Sequence, residues 1–249
     1  MQFTYKAYEQ LLNSLSENAF KIGDYHNYDK YEKCAILRHD IDYDLKKAIP
    51  FSEIEKNNNV KSTYFVLLTS DFYNPASISS LKAFDELRKN GHEIGLHFDE
   101  VRYLSDNDEW NQEYIVENIQ KEAELLGKII DGQIKTVSMH RPSQKTLEGN
   151  ISIPGMVNSY SKEFFQNFKY VSDSRMRWRE NINEIVKSTE IKMIHILTHP
   201  FWYNSKEKEM SEVIDNFIER AKKDRLCILD KNITDLQSIM IKSGINERG

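Results

Sequence analysis

The 249-residue chain holds only two cysteines, Cys34 and Cys227. They are too few and too far apart for a disulfide framework or a thiolate zinc site. Each lies at or beside an apolar, strand-like run, Cys34-Ala35-Ile36-Leu37 or Leu226-Cys227-Ile228-Leu229, which marks both as ordinary buried thiols. Five prolines and nine glycines are scattered, so no linker, repeat or low-complexity tract divides the chain. No apolar run approaches the roughly 18 residues of a membrane span. The start, Met1-Gln2-Phe3-Thr4-Tyr5-Lys6, lacks the apolar stretch of a secretory leader, and the expectation is a cytoplasmic protein. Nor is there a large charge of either sign: 34 basic residues face 39 acidic ones, a net of −5, which gives no electrostatic case for a nucleic-acid partner.

What is present is alternation. Strand-like runs fall at residues 35–40, 63–67, 93–97, 136–140, 169–172, 191–198 and 226–229, with helical patterns between them. In 80–90, Leu81, Phe84 and Leu87 share a face, with Ser79 or Ser80 to cap and Gly91 to exit. Residues 108–127 carry Trp110, Tyr114, Ile115 and Ile119, with Asp106 or Asp108 as cap and Gly127 as stop. Residues 207–222 present the stripe Met210, Val213, Ile214, Phe217, Ile218 and Ala221. Residues 1–33 read as a helical extension (Tyr5, Tyr8, Leu12, Leu15) and a Tyr-rich loop packed on the single domain that 34–249 form. Strand and helix in alternation imply parallel strands with crossover helices. Seven such strands close as a barrel or stay open as a doubly wound sheet, and both place an active site at the carboxyl ends of the strands.

Four polar clusters sit at those ends: Arg38-His39-Asp40-Ile41-Asp42, Gly91-His92-Glu93-Ile94-Gly95-Leu96-His97, Met139-His140-Arg141-Pro142 and Leu197-Thr198-His199-Pro200. Side chains alternate along a strand, so Arg38, Asp40 and Asp42 share one side and His39 takes the other, where it packs against a helix. Two carboxylates on one face repel unless a cation or proton sits between them. His97 shares its face with Glu93 and Gly95 at the strand's end and suits a metal, whereas His92 suits a structural place. His195, Leu197 and His199 are in register, with His199 nearest the end, where an imidazole can donate a proton near neutral pH. His195, deeper, reads as a core histidine. Phe201-Trp202-Tyr203 is either a plug over the sheet's end or a stacking wall for a sugar-like ring.

These clusters, in this order, resemble the polysaccharide deacetylases with the NodB homology domain (carbohydrate esterase family 4), over about residues 34–230. The first motif of that family supplies an Asp base and an Asp metal ligand, matched here by Asp40 and Asp42 in Asp-x-Asp form. The second, usually Gly-His-Glu-Ile-Gly-Asn-His, is matched by residues 91–97 with Leu96 in place of Asn. Arg141-Pro142 fits the Arg-Pro that orients the base. Asp173 is the candidate for the Asp that tunes the catalytic His, and Leu197-Thr198-His199 fits the Leu-x-His of acetyl pocket and general acid. The family's second metal-binding His is replaced by Val101. A catalytic site usually keeps three protein ligands, so His140 is the first candidate for the third and Asp99 the second.

The resemblance implies a distorted seven-stranded (β/α) barrel with an extra N-terminal helix. It also implies a divalent metal, Zn²⁺ first, with Co, Mn, Fe or Ni as alternatives, on Asp42, His97 and His140. Asp40 is the implied base, oriented by Arg141, and His199 the acid, held charged by Asp173. Leu197, Trp202, Tyr43 and Phe98 are expected to line the substrate site. The implied reaction is removal of an N-acyl group, most simply N-acetyl, from a small-molecule or carrier-linked amino sugar. A cytoplasmic location points to a nucleotide- or lipid-linked precursor of surface polysaccharide. Hydrolysis of a non-sugar amide or ureide, and a non-catalytic homologue that binds a glycan or protein, are the competing functions.

Overall fold

The computed structural model describes residues 1–104 and 110–242. Eight strands are present among them: β1 (Lys21–Gly23), β2 (Cys34–Ile41), β3 (Thr63–Leu67), β4 (Glu93–Phe98), β5 (Thr136–Met139), β6 (Val157–Asn158), β7 (Lys169–Ser172) and β8 (Met193–Thr198). The α-helices are α1 (Tyr5–Glu17), α2 (Ala48–Asn57), α3 (Ile78–Lys89), α4 (Gln112–Ile130), α5 (Gln144–Glu148), α6 (Lys162–Gln166), α7 (Ile182–Lys187), α8 (Met210–Asp230) and α9 (Leu236–Lys242). Every strand pairing is parallel, in the order β6-β5-β4-β3-β2-β8-β7. Off that path, β1 pairs with Cys34–Ile36 of β2, below the stretch Arg38–Ile41 that pairs with β3.

The sheet curls into a half-barrel. In a flat sheet β2 and β5, three strand steps apart, would lie about 14 Å from each other. Yet the Arg38 Nη2 of β2 donates to Ser138 Oγ of β5 at 2.8 Å, and its Nη1 reaches Ser159 beyond β6 at 3.4 Å. Inward-facing residues close the lower interior, where Tyr25, Ile36, Phe65, Phe164 and Phe168 form one buried cluster. The close approach needs Gly95: a Cβ there would stand 2.6 Å from the Phe65 ring, its partner in register. His195 lies in this core, as expected, bonded to Tyr25 Oη at 2.7 Å. Burial, helped by the Arg38 charge, pushes its pKa down to about 3, so it packs as a neutral ring.

Local chemistry sets the helix ends. Thr4 Oγ1 accepts from Ala7 N–H at the start of α1. Ser77, rather than Ser79 or Ser80, caps α3, and the chain leaves through Gly91 at φ +89°. Asn111 caps α4, which runs past Gly127 to a left-handed Asp131; Asp106 and Asp108 lie outside the described residues. The chain divides into two compact units, Met1–Lys206 and Glu207–Gly249. In the second, a capping box of Glu209 and Glu212 opens α8. That helix overturns the strand expected at 226–229: Leu226-Cys227-Ile228-Leu229 lies within α8, with Ile228 and Leu229 exposed. Cys34 is buried as expected, whereas Cys227 is exposed.

Candidate metal centre and its acid–base flanks

The alternation of β2 sends Arg38, Asp40 and Asp42 inward and His39 outward. On the outer side, Glu55 of α2 accepts from Tyr8 Oη (2.6 Å), Tyr64 Oη (2.6 Å), Ser62 Oγ (2.7 Å) and the ring of His39 (2.8 Å). His39 also bonds Thr198 of β8 through Nδ1 at 2.6 Å. Burial of Glu55 alone would raise its pKa, but the His39 charge and these donors bring it to about 2. His92 is buried beside this group, against Ser62 and the carbonyl of Ser52. Both histidines therefore take the structural places expected of them.

On the inner side, Asp42, His97 at the end of β4 and His140 just after β5 converge. Asp42 Oδ1 lies 3.3 Å from both His97 Nε2 and His140 Nδ1, and those two nitrogens are 3.1 Å apart. Asp42 Oδ1 is buried without a hydrogen-bond donor, because neither ring approaches it in hydrogen-bond geometry. Burial would raise the Asp42 pKa, but His140 and His97 hold it well below the carboxylate range. Burial likewise opposes charge on His140, and Asp42 outweighs it to raise that pKa. One orphaned carboxylate oxygen and two imidazole nitrogens facing each other are arranged for a cation. Tetrahedral zinc with bonds of about 2.0–2.1 Å needs ligand atoms about 3.3 Å apart, which this triangle meets. The residues present fit the metal.

His140 is placed by its surroundings. Its N–H donates to Phe98 O at 2.8 Å. The next residue, Arg141, grips Asp99, and Glu100 accepts from Ser143 N–H and Thr146 Oγ1. Two successive acids leaving β4 thus clamp the segment leaving β5. Asp99 serves this clamp and stands outside the Asp42–His97–His140 group. Its Oδ1 also accepts from Val101 N–H, at 3.3 Å, in the turn that follows β4.

The clamp corrects one expectation. Arg141 is 59% exposed along its side chain and bonds Asp99, not Asp40. The arginine that orients Asp40 is Arg38, fully buried two residues earlier on the same face, with Nε and Nη2 on the two carboxylate oxygens at 2.8 and 2.7 Å. Burial would raise the Asp40 pKa; Arg38, then His97, lower it, so Asp40 stays ionised. Strand alternation already aligned Arg38 with Asp40; the Arg-Pro resemblance obscured that signal. Ser138 was also missed. Its Oγ accepts from Arg38 and lies 2.7 Å from His97 Nδ1. With Nδ1–H donating to Ser138, His97 turns a lone pair on Nε2 toward Asp42.

On the other flank, His199 Nδ1 lies 2.6 Å from Asp173 Oδ1, and Asp173 also accepts the His199 N–H. His199 Nε2 is left 3.8 Å from Asp42 Oδ2. Burial disfavours the imidazolium, but Asp173, then Asp42 and Asp40, bring the pKa up to about 9. Leu197 is buried on β8 between Arg38 and Ser172 in register.

Of the expected aromatic lining, Tyr43 is half-buried and meets Phe201, Phe72 and Trp202, with ring centroids 4.8, 5.3 and 6.3 Å away. Phe72 is exposed beside it. Trp202 is buried, and Tyr203 turns away to pack on Phe51 and Phe3. Phe98 does not line the site. As the neighbour of inward-facing His97 it points outward, fully buried and stacked on Tyr103.

No family model matches the chain, and no curated protein matches it. Solved structures do. A deacetylase from Streptococcus pyogenes, PplD, in complex with acetate aligns at 15% identity and a TM-score of 0.42, over 58% of this chain and 66% of that one. A CE4 family pseudoenzyme from Bacillus anthracis aligns at 14% and 0.42, over 78% and 62%. A family 4 carbohydrate esterase from Bacillus anthracis aligns at 17% and 0.43, over 90% and 93%. The chain thus spans just under two thirds of the length of the first two. At this distance the likenesses carry no functional argument, which must come from the residues of the site.

Proposed function

We propose that this protein is a metal-dependent hydrolase that removes an N-acyl group, most simply N-acetyl, from an amino sugar. The observation that carries this is one cluster in which a metal-fitting triad stands between two separately gripped acid–base groups, with His97 Nε2 3.5 Å from Asp40 and His199 Nε2 3.8 Å from Asp42. Asp42, His97 and His140 would hold the metal, with Zn²⁺ first among the candidates. When bound, it supplies Lewis acidity to polarise the acyl carbonyl and to lower the pKa of water.

The chain's own residues divide the proton work. Asp40, kept ionised by Arg38, is the base that takes the proton of the attacking water. Its two oxygens are fixed by the guanidinium fork, so its orientation does not depend on substrate. His199 is the acid. Asp173 occupies Nδ1 and holds the ring charged, which leaves Nε2–H to be given to the departing amine. Leu197 lies beneath the acyl methyl, and Tyr43 with exposed Phe72 offers an apolar wall for the sugar ring.

The test is Asp40→Asn in metal-loaded protein assayed on N-acetylated amino sugars. Metal content should stay at the wild-type level while turnover falls by about 10³-fold. Full turnover in that variant would contradict the assignment of the base.

A further inference from the structure

The segment that follows β7 carries Ser174-Arg175-Met176-Arg177-Trp178-Arg179 directly after Asp173, the partner of His199. Burial alternates along it: Arg175, Arg177 and Arg179 are exposed, while Met176 and Trp178 are partly buried between them. The backbone is held in an unusual form. Arg175 and Met176 are left-handed, at φ 58° and 53°, and Arg177 N–H donates to Asp173 O at 3.1 Å to close the turn. Two consecutive non-glycine residues in that region cost conformational energy, and such strain concentrates at functional sites.

These arginines are also exceptional in their company. Arg38, Arg88, Arg102, Arg141 and Arg225 each donate to a carboxylate or carbonyl, and Arg220 is engaged too. Among the described residues, only Arg175, Arg177 and Arg179 have guanidinium groups without a partner. The acids nearest in sequence are committed elsewhere, Asp173 to His199 and Glu180 to Lys169. Three unpaired like charges within five residues repel one another, in a chain whose net charge is −5.

We propose that Arg175, Arg177 and Arg179 bind the diphosphate of a diphosphate-linked amino sugar whose N-acyl group lies at the metal centre; this rests on the deacylation reading. Guanidinium forks match phosphate oxygens in pairs, and a diphosphate offers several oxygens and more than one negative charge to share among three forks. A lone carboxylate, with two oxygens, would occupy one arginine and leave two unanswered. The arginines ride on the turn that also positions His199, so the anion is held beside the acid and fixes which end of the substrate enters.

The test separates the anion site from the chemistry. Metal-free protein, kept in chelator so that phosphate cannot bind through a metal, is titrated calorimetrically with inorganic pyrophosphate. The wild type is compared with the Arg175→Gln/Arg177→Gln/Arg179→Gln variant, with circular dichroism to verify the fold. The expected result is binding that weakens at least tenfold in the variant and falls steeply with salt. In parallel, metal-loaded wild type and variant are assayed on UDP-N-acetylglucosamine, a prenyl-diphosphate-linked N-acetyl sugar in micelles, and neutral N-acetylglucosamine oligomers. The ratio of kcat/KM for the better diphosphate substrate over the neutral one should drop at least tenfold in the variant. Whichever diphosphate arm is preferred identifies the carrier. Pyrophosphate binding equal in the two proteins, with neutral sugars turned over, would overturn the anion site and leave deacylation standing. Arginine-dependent binding with no N-acyl sugar hydrolysed would leave the anion site standing and overturn deacylation.

Discussion

Strand β2 separates two buried acid–imidazole groups, and they differ in one respect. Behind it, the Glu55 carboxylate has a donor on every side: Tyr8, Tyr64, Ser62 and His39. In front, Asp42 Oδ1 has none, although two imidazole nitrogens stand 3.3 Å away. Burial is nearly equal, 0% exposed for Glu55 and 9% for Asp42, so depth does not tell them apart. Satisfaction does. A carboxylate with all its lone pairs met is finished as structure, whereas a buried oxygen without a donor, beside two imidazole nitrogens, has the chemistry of a metal ligand. The two groups are nonetheless joined. His39 and Thr198, which bond each other behind the sheet, are the chain neighbours of Asp40 and His199 in front of it.

The comparison breaks most visibly if Glu55 is removed. Glu55→Ala leaves His39, Tyr8, Tyr64 and Ser62 without their acceptor and should cost about 3–5 kcal/mol of stability. Metal uptake per folded molecule should not change. Chemical denaturation beside a metal titration checks both; lost metal uptake in the folded variant would merge the two groups into one site.

Arg38 and Arg141 sharpen the contrast within the front group. Arg38→Met strips Asp40 of its buried partner and should destabilise by about 3 kcal/mol or more and suppress turnover. Arg141→Ala removes a guanidinium that is itself exposed but leaves buried Asp99 without that partner, and should destabilise by about 1–3 kcal/mol, less than Arg38→Met. Denaturation midpoints and kcat for the two variants decide which arginine serves the base.

Acid tests the two faces together. The native pKa of His195 is about 3, below the ordinary 6.5, so only the unfolded chain takes up this proton as pH falls below 6.5. Glu55, at about 2 against 4.5, acts in the same direction below pH 4.5. Stability should therefore fall by roughly 1.4 kcal/mol per pH unit through His195 alone, and more steeply below 4.5. Denaturation in urea at pH 7, 5.5 and 4 should show the decline; a midpoint unchanged from 7 to 4 would contradict the buried neutral His195.

Much of the candidate site's geometry was legible because side-chain alternation decides which residues meet at the strand ends. Asp40, Asp42, His97 and His199 followed from alternation and position, and the placing of His39, His92 and His195 as structural came from the same rule. His140 came from the gap at Val101. The errors have equally definite causes. Phe98, expected in the site, takes the opposite face because alternation sends its neighbour His97 inward. The Arg-Pro resemblance points to Arg141, whereas strand geometry sets Arg38 beside Asp40 on the same face. Leu226–Leu229 is a four-residue apolar run, which by itself fits strand or helix. β1 and β6, at three and two residues, are too short to show any period. Nothing in the sequence marks Arg175, Arg177 and Arg179, since whether a guanidinium has a partner among the described residues depends on the tertiary fold.

Asp42, His97 and His140 are proposed to form one metal site, with His140 as its third ligand. Zinc titration of metal-free wild type, His97→Ala and His140→Ala measures it directly. The account predicts one equivalent bound by the wild type, with affinity reduced at least tenfold in each variant. A wild type that binds no Zn²⁺, Co²⁺ or Mn²⁺, or a His140→Ala protein that binds as tightly as the wild type, would contradict it.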